Sequence, residues 1–327
     1  RRSLKSIKTT SDVVRICARG VTSARFVFSG LGVFGYALSR RTVAMRHLLI
    51  LLCLGVAGPV LAQDAPRLGI FGLVDATDPL IVAGQTFLVP EGAPVISPLG
   101  PDAVLELGDT VAIVATVEDN HLVATRLMQV FPVAGPLSDV TETTASVMGT
   151  VVHIPPGVLA RPGQWVAVSG LWSGETVITS RLRQIDWDGF GQLAGVVEVS
   201  DETVADRIGG TKITGIQAPE GGFGGSFWTL TGSPEGAGLR IRLMSKGVFG
   251  GKVDLVLWQG YASLPVASQT YMIHGSGITG TATDPLMPDA GSLVRRCAAQ
   301  GRVVKSAPEG LDTAFELLGC ATYIRVD

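Results

Sequence analysis

Apolar and polar residues alternate in short runs through most of this chain, the period-two signature of strands with one buried face. Val111, Ile113, Ala115 and Val117 lie on one face of the run 110–117. Val123, Thr125 and Leu127 share a face of 122–130, with Arg126 on the other. Glu118-Asp119-Asn120 supplies a polar turn between the two runs, so the pair predicts a β-hairpin. That hairpin returns without a gap after 55 residues: Leu107-Gly108-Asp109-Thr110-Val111 is matched by Pro162-Gly163-Gln164-Trp165-Val166. Thr125-Arg126-Leu127 is matched at the same spacing by Ser180-Arg181-Leu182. A fixed period means one supersecondary unit used more than once.

Upstream of the first hairpin, 80–82 and 86–89 flank Ala83-Gly84-Gln85, which reads as a tight turn with Gly supplying positive φ. Pro90, Pro94, Pro98 and Pro101 then mark a crossing where helix is disfavoured. With a first strand at Gly69-Ile70-Phe71-Gly72-Leu73-Val74, these make five short strands with one buried face, which must close on themselves to hide their edges. A small five-stranded, OB-like barrel over residues 66–135 is the economical solution. A Ser/Thr/Asp-rich stretch, 137–144, reads as a linker. Residues 145–188 read as an abbreviated OB-like unit, because 147–154 forms a strand and Pro155-Pro156-Gly157 cuts short what was a hairpin in the first copy. Beyond Phe190 the pattern stays β-rich through 189–327, enough for one or two further barrels, while the repeat is lost. Ala282-Thr283-Asp284-Pro285-Leu286 echoes Ala76-Thr77-Asp78-Pro79-Leu80 only faintly. Residues 291–300 fit either a helix or a strand analogous to the one after Gly108. The fold class expected is all-β, in tandem small barrels.

Gly108-Asp109-x-Val111, the alternating strand after it, the closing Leu122-Val123-Ala124-Thr125-Arg126-Leu127 and the upstream Val82-Ala83-Gly84-Gln85 resemble the bacterial exported proteins grouped as domain of unknown function 5666. The resemblance covers roughly residues 69–187, and the second copy departs from it with Gln164 in place of the Asp. It implies an OB-like barrel in a cell-envelope protein, and no activity or catalytic residues.

The N-terminus changes the charge picture. Met45 opens a pattern of short polar n-region, apolar run 48–56 and small residues up to Ala62, which predicts a signal peptide over 45–62 with cleavage before Gln63. Residues 1–44 read as disordered upstream read-through rather than a membrane-anchoring hairpin through 26–38, since neither that apolar run nor 48–56 is long enough to span a bilayer. The chain carries 26 basic and 28 acidic residues; residues 1–62 hold 10 and 1 of these, leaving 16 against 27, or −11. An exported domain this acidic argues against nucleic-acid partners. No transmembrane anchor is expected in the mature chain, and its compartment is periplasmic or secreted. Of four cysteines only Cys297 and Cys320 remain after cleavage, and an oxidising compartment predicts a disulfide between them.

Candidate chemistry is sparse. Gly275-Ser276-Gly277-Ile278-Thr279-Gly280 matches the dinucleotide fingerprint, but Pro285 and Pro288 forbid the helix that motif needs, so a turn is expected. His121, His153 and His274 lack companions at metal-ligand spacing. Asp186-Trp187-Asp188-Gly189 has the start of a calcium loop without its later ligands, so a turn is the better reading. No catalytic residue, metal ligand or cofactor is assigned. Trp165, Trp172, Trp187, Trp228 and Trp258 all fall in one stretch and offer two readings. They form a sugar-stacking platform, or they fill the barrels and the seams between them. Three functions follow: an exported binding or scaffold module whose partner is an envelope protein or glycan, a carbohydrate-binding module using exposed Trp, or an envelope hydrolase built from His274 with Ser276 or Asp254.

Overall fold

A computed structural model describes residues 65–327 apart from 187–188, 202–203, 216, 218, 221, 266–268, 282–286, 305–310 and 321–327. The expected signal peptide, the segment before it, Trp187 and the pentapeptide echo at 282–286 lie outside the described residues, as does part of the Asp186–Gly189 turn.

The described chain is nearly all sheet. The first barrel contains β1 (Leu68–Thr77), β2 (Leu80–Val82), β3 (Gln85–Leu88), the short β4 (Val95–Ile96), β5 (Thr110–Glu118) and β6 (His121–Gln129). β1 pairs antiparallel with β2 and with β5, β2 with β3, and β5 with β6; β3 closes the ring by running parallel to β6. The second barrel repeats this ring with β7 (Val133–Ser138), β8 (Thr144–Val147), β9 (Thr150–His153), β10 (Trp165–Ser173) and β11 (Thr176–Gln184), and again the third strand runs parallel to the fifth.

The second copy is therefore complete rather than abbreviated. Its first strand starts at Val133, inside the span 66–135 expected for the first barrel, and takes in part of the expected linker. Residues 147–154 break at Met148-Gly149 into two paired strands, because both turn residues hold positive φ (50° and 95°).

Nor is the repeat lost after Phe190. β12 (Gly191–Val196) and β13 (Glu198–Asp201) form one first strand interrupted at Val197; β14 (Val204–Ile208), β15 (Thr211–Thr214), β16 (Phe227–Glu235) and β17 (Gly238–Lys246) complete the same pairing scheme. A fourth set follows: β18 (Leu255–Tyr261), β19 (Thr270–Ile273), β20 (Ile278–Thr281), β21 (Leu293–Ala299) and β22 (Arg302–Val303), with a single Ala262–Ile273 bridge joining its first and second strands. Thus 291–300 holds a strand rather than a helix.

Two local devices recur through the units. The strand pairs β5–β6, β10–β11 and β16–β17 each place nine-residue strands around a two-residue turn, and each shifts register between the fifth and sixth residue. Before β5, β10, β16 and β21 the chain turns a corner in which Asp109, Gln164, Ser226 and Ser292 donate their backbone N–H to the carbonyl three residues back, at 3.0–3.1 Å. The residue before each donor is Gly108, Gly163, Gly225 or Gly291, with φ of 83°, 81°, 61° and 73°, a region where a Cβ is strained. These glycines are 55, 62 and 66 residues apart, so loop growth in the later copies breaks the fixed period.

The barrels assemble through their first strands. β1 lies parallel to β18, with Leu68 opposite Leu255 and Phe71 opposite Trp258. β7 lies antiparallel to β12, with Val133 opposite Leu193. The first and fourth barrels thus share one sheet, and the second and third share another. Several central strands are buried on both faces. Val111 and Ile113 point into the first barrel, whereas Ala112 and Val114 face an inter-barrel core with Phe71, Leu171, Phe227, Phe249 and Trp258. Phe71 stacks on Trp258 at 3.9 Å between ring centroids and 16° between planes. Such pairing adds about 0.5–1.5 kcal/mol to area burial.

One short helix, α1 (Asp312–Leu317), was not anticipated. Leu311, Ala314, Phe315 and Leu318 bury one face in the core of the first barrel. Cys320, after the helix, is bonded to Cys297 on β21, as the compartment argument expected. No helix among the described residues is long and apolar enough to cross a membrane.

Trp258→Ala should lower the unfolding free energy by about 3–5 kcal/mol, the usual cost of truncating a buried aromatic side chain, measured by urea denaturation. Cys320→Ser should cost about 2–5 kcal/mol in the same assay, by freeing α1 from β21.

Candidate functional site

The tryptophans decide between the two readings open at the sequence level. Trp172, Trp228 and Trp258 are buried, at 6%, 5% and 4% exposure. Trp258 lies in the inter-barrel core, and Trp228 packs edge-on against Phe223 at 5.4 Å and donates its indole N–H to the Phe223 carbonyl at 3.2 Å. Trp172 donates to the Ala194 carbonyl at 2.9 Å, crossing from the second barrel to the third. Trp172 and Trp258 fill seams between barrels and Trp228 packs within the third, so these three rings form no exposed stacking platform. Trp165 opens β10 half-buried, on the face opposite Trp172.

The expected hydrolase pieces do not come together. The Ser276 hydroxyl donates to the Ile273 carbonyl at 2.6 Å and accepts from the Ile278 N–H at 2.8 Å, so it is held within its own turn. Asp254 accepts from the Arg67 N–H at 2.8 Å, fastening β18 beside the start of β1. His121 and His153 meet backbone carbonyls of Asp119 and Val177. Among the described residues no group of three or more His, Cys, Asp or Glu stands together as a metal site.

The strongest electrostatic feature is the joint between the first two barrels. Asp109 has a fully buried side chain. Its Oδ2 accepts from the Glu106 N–H at 2.9 Å and from Gln129 Nε2 at 2.8 Å. Arg183 reaches Asp109 at 3.4 Å and Glu106 at 3.3 Å, and Arg181 also pairs with Glu106. Thr110 Oγ1 donates to the Gly170 carbonyl at 2.9 Å and accepts from the Gly170 N–H at 2.7 Å, binding the same seam. Gln164 keeps the geometry without the charge: its Oε1 accepts from the Arg161 N–H at 3.1 Å and its amide donates to Gln184 at 2.8 Å. Burial raises the Asp109 pKa above its ordinary 3.8, against the opposing pull of Arg183, Gln129 and Ser169. This is a structural clasp, and it was legible only as a corner motif.

One site with room for a ligand lies where the second, third and fourth barrels meet. A cleft of about 260 Å3 is bounded by Trp172, by Val196 and Ile208, and by Met272 and Thr279. Its polar groups are His274, Glu198 and the Thr279 hydroxyl. The glycines of the apparent dinucleotide fingerprint serve packing here. A Cβ on Gly275 would strike the Trp172 ring, one on Gly277 the Gly225 carbonyl, and one on Gly280 the Tyr271 ring. Gly275 and Gly277 form the β19–β20 turn, as expected, and bring His274 to the cleft. Burial lowers the His274 pKa from its ordinary 6.5, so the imidazole is neutral at pH 7, with one nitrogen donating and the other accepting. The cleft can therefore hold a small group with both an apolar face and hydroxyl or amide functions. Sequence reasoning singled out His274 and Trp172 separately; Glu198, Met272 and Thr279 carried no signal, because three barrels converge on them from distant segments.

No family model, curated protein or solved structure matches this chain.

The raised Asp109 pKa sets a direction for pH dependence. The folded chain holds that proton to higher pH than the unfolded chain, so ionising Asp109 costs stability as pH rises from about 3.8 through the raised value. Asp109→Asn, resembling the uncharged second copy, should gain urea midpoint relative to the unsubstituted protein across that rise. A difference that stays flat with pH would refute the assignment.

Proposed function

We propose that the chain is a non-catalytic binding module of the bacterial cell envelope, exported through the segment 45–62, and that it takes its ligand in the cleft shared by the second, third and fourth barrels. The observation that carries this reading is the cleft itself: its walls come from three barrels locked together by buried aromatic and backbone contacts. A preformed site between rigid units is a common place for ligand recognition. A neutral imidazole, a carboxylate and a hydroxyl above apolar walls suit a sugar face or a peptide side chain of an envelope partner. The locked-in Ser276 and Asp254 support binding over hydrolysis. The acidic balance of residues 63–327 disfavours nucleic acid, and the signal-like pattern of 45–62 supports the compartment.

A photo-crosslinking residue placed at Met272, which is 44% exposed in the cleft, should capture an envelope ligand in living cells. The same residue at Leu159, 84% exposed and outside the cleft, should not capture it. The captured chain should begin at Gln63. Absence of a Met272-specific adduct refutes the binding site, and a chain retained in the cytosol with residues 45–62 intact refutes export.

A further inference from the structure

The third barrel leaves open a strand edge that the first barrel fills. In the first barrel β3 runs beside the leading half of β6. After the Pro-rich crossing, β4 returns parallel to the trailing half, with Val95 opposite Leu127 and Ile96 opposite Met128. Leu127 is buried there, at 3% exposure. β17 is the equivalent strand of the third barrel, and its residues 238–240 lie beside β15 as the start of β6 lies beside β3. β15 ends at Thr214, opposite Arg240, and Gly215 turns away with φ of 75°. Among the described residues, nothing then pairs with the outer edge of 241–246, which has β16 on its other side. Counted from the register shift of each hairpin, Met244 stands where Leu127 stands. Met244 is 40% exposed, beside Leu243 at 71%.

The open stretch is basic. Arg240, at its start, is already engaged by Glu235 at 2.7 Å. Arg242 and Lys246 have no ion pair among the described residues and rest on aromatic rings instead. Arg242 lies 4.9 Å from the Phe190 centroid and Lys246 5.8 Å from that of Trp228. A ring face orients a cation without neutralising it. Residues paired across a ladder share a face, so Met244 and Lys246 lie on the side of Leu230 and Trp228. Two copies of the chain cannot use this edge on each other. Antiparallel pairing centred on Met244 would set Arg242 against Lys246, and like charges directly opposite are destabilising. Basic side chains thus guard the edge against self-association and leave an acidic strand as the guest they admit.

We propose that this edge accepts an extended acidic peptide segment of another protein, added beside β17 in the place that β4 takes beside β6. The backbone N–H and C=O groups on the outer edge of 242–246 supply the ladder, the usual source of affinity in strand addition. An apolar guest residue covers Met244, and acidic residues two positions to either side of it meet Arg242 and Lys246. The edge is separate from the cleft, since none of residues 241–246 lines that site.

Titration of the purified full chain with the labelled peptide Thr-Glu-Thr-Val-Thr-Glu-Thr tests it. This peptide should bind at least about tenfold more tightly than the same peptide with Lys for both Glu. Methylating one alternate set of its backbone nitrogens should abolish binding, because that set faces β17. Arg242→Gln with Lys246→Gln should weaken binding about tenfold, while Lys252→Ala, an exposed cation elsewhere, should change it by less than about twofold. All variants should keep the parent urea midpoint, and bound peptide should slow amide hydrogen exchange across 242–246. No binding at up to about 1 mM peptide overturns the proposal, as does equal affinity for the Lys peptide. Binding that neither methylated set weakens also overturns it, by leaving charge without a ladder. Concentration-dependent dimers of the free chain with 242–246 protected overturn it by assigning the edge to a second copy. The Met272 crosslink reads the cleft and is independent of each of these outcomes.

Discussion

The free edge of the first strand governs this architecture. A five-stranded ring satisfies most of its backbone internally, but the leading half of its first strand pairs on one side only, and an unpaired edge invites association. Here the barrels satisfy one another: β1 takes β18 and β7 takes β12. Each partnership makes one continuous sheet from two barrels, and the two sheets then bury their outer faces together around Phe71, Phe227 and Trp258. Removing one barrel would expose both an edge and an apolar face on its neighbour. The four units are repeats in topology and a single body in energetics.

That mutual dependence accounts for the composition of the central strands. A barrel wall facing water alternates large apolar with polar residues; these walls alternate large with small. Val111 and Ile113 fill the interior, while Ala112 leaves space for the neighbouring barrel. The low charge and abundant glycine have the same origin, since close approach of turns such as Gly149 to the Gly210 and Ala237 carbonyls leaves no room for a side chain. The polar clasp around Asp109 is the exception, and Gln164 shows that the corner needs the hydrogen bonds rather than the charge.

The sequence pattern made the strand class and the first two strong hairpins readable, because alternation and a gapless 55-residue offset are local signals. It hid the remainder for specific reasons. Val133–Ser138 contains Gly135 and Pro136 and so lacks a strand's usual residues, yet it is held by β10 on one side and β12 on the other. The later copies keep the corner glycine, and the third keeps the hairpin offset, with Thr231-Gly232 matching Ser169-Gly170, but loops of new length shift them out of phase. The helix did leave a trace, apolar residues at 311, 314, 315 and 318, the spacing of one helical face. The cleft was not legible, since neither alternation nor spacing reports which turns of three barrels come together. Burial of the tryptophans was equally hidden, because an aromatic residue on a strand reads the same whether water or another barrel lies beyond it.

The place of α1 has a consequence for synthesis. Chain order and spatial order run in opposite senses: the first barrel is plugged by α1, which follows all four units in the chain, and its leading strand waits for β18, nearly 190 positions downstream. A nascent chain emerging from the ribosome therefore holds an unfinished first barrel, with no stopper and a bare margin, until β18 and α1 have been made. Domain-by-domain maturation, the habit of most multi-unit chains, is denied to it. Under the export proposed above, such postponement would keep the polypeptide slack while it threads a narrow channel.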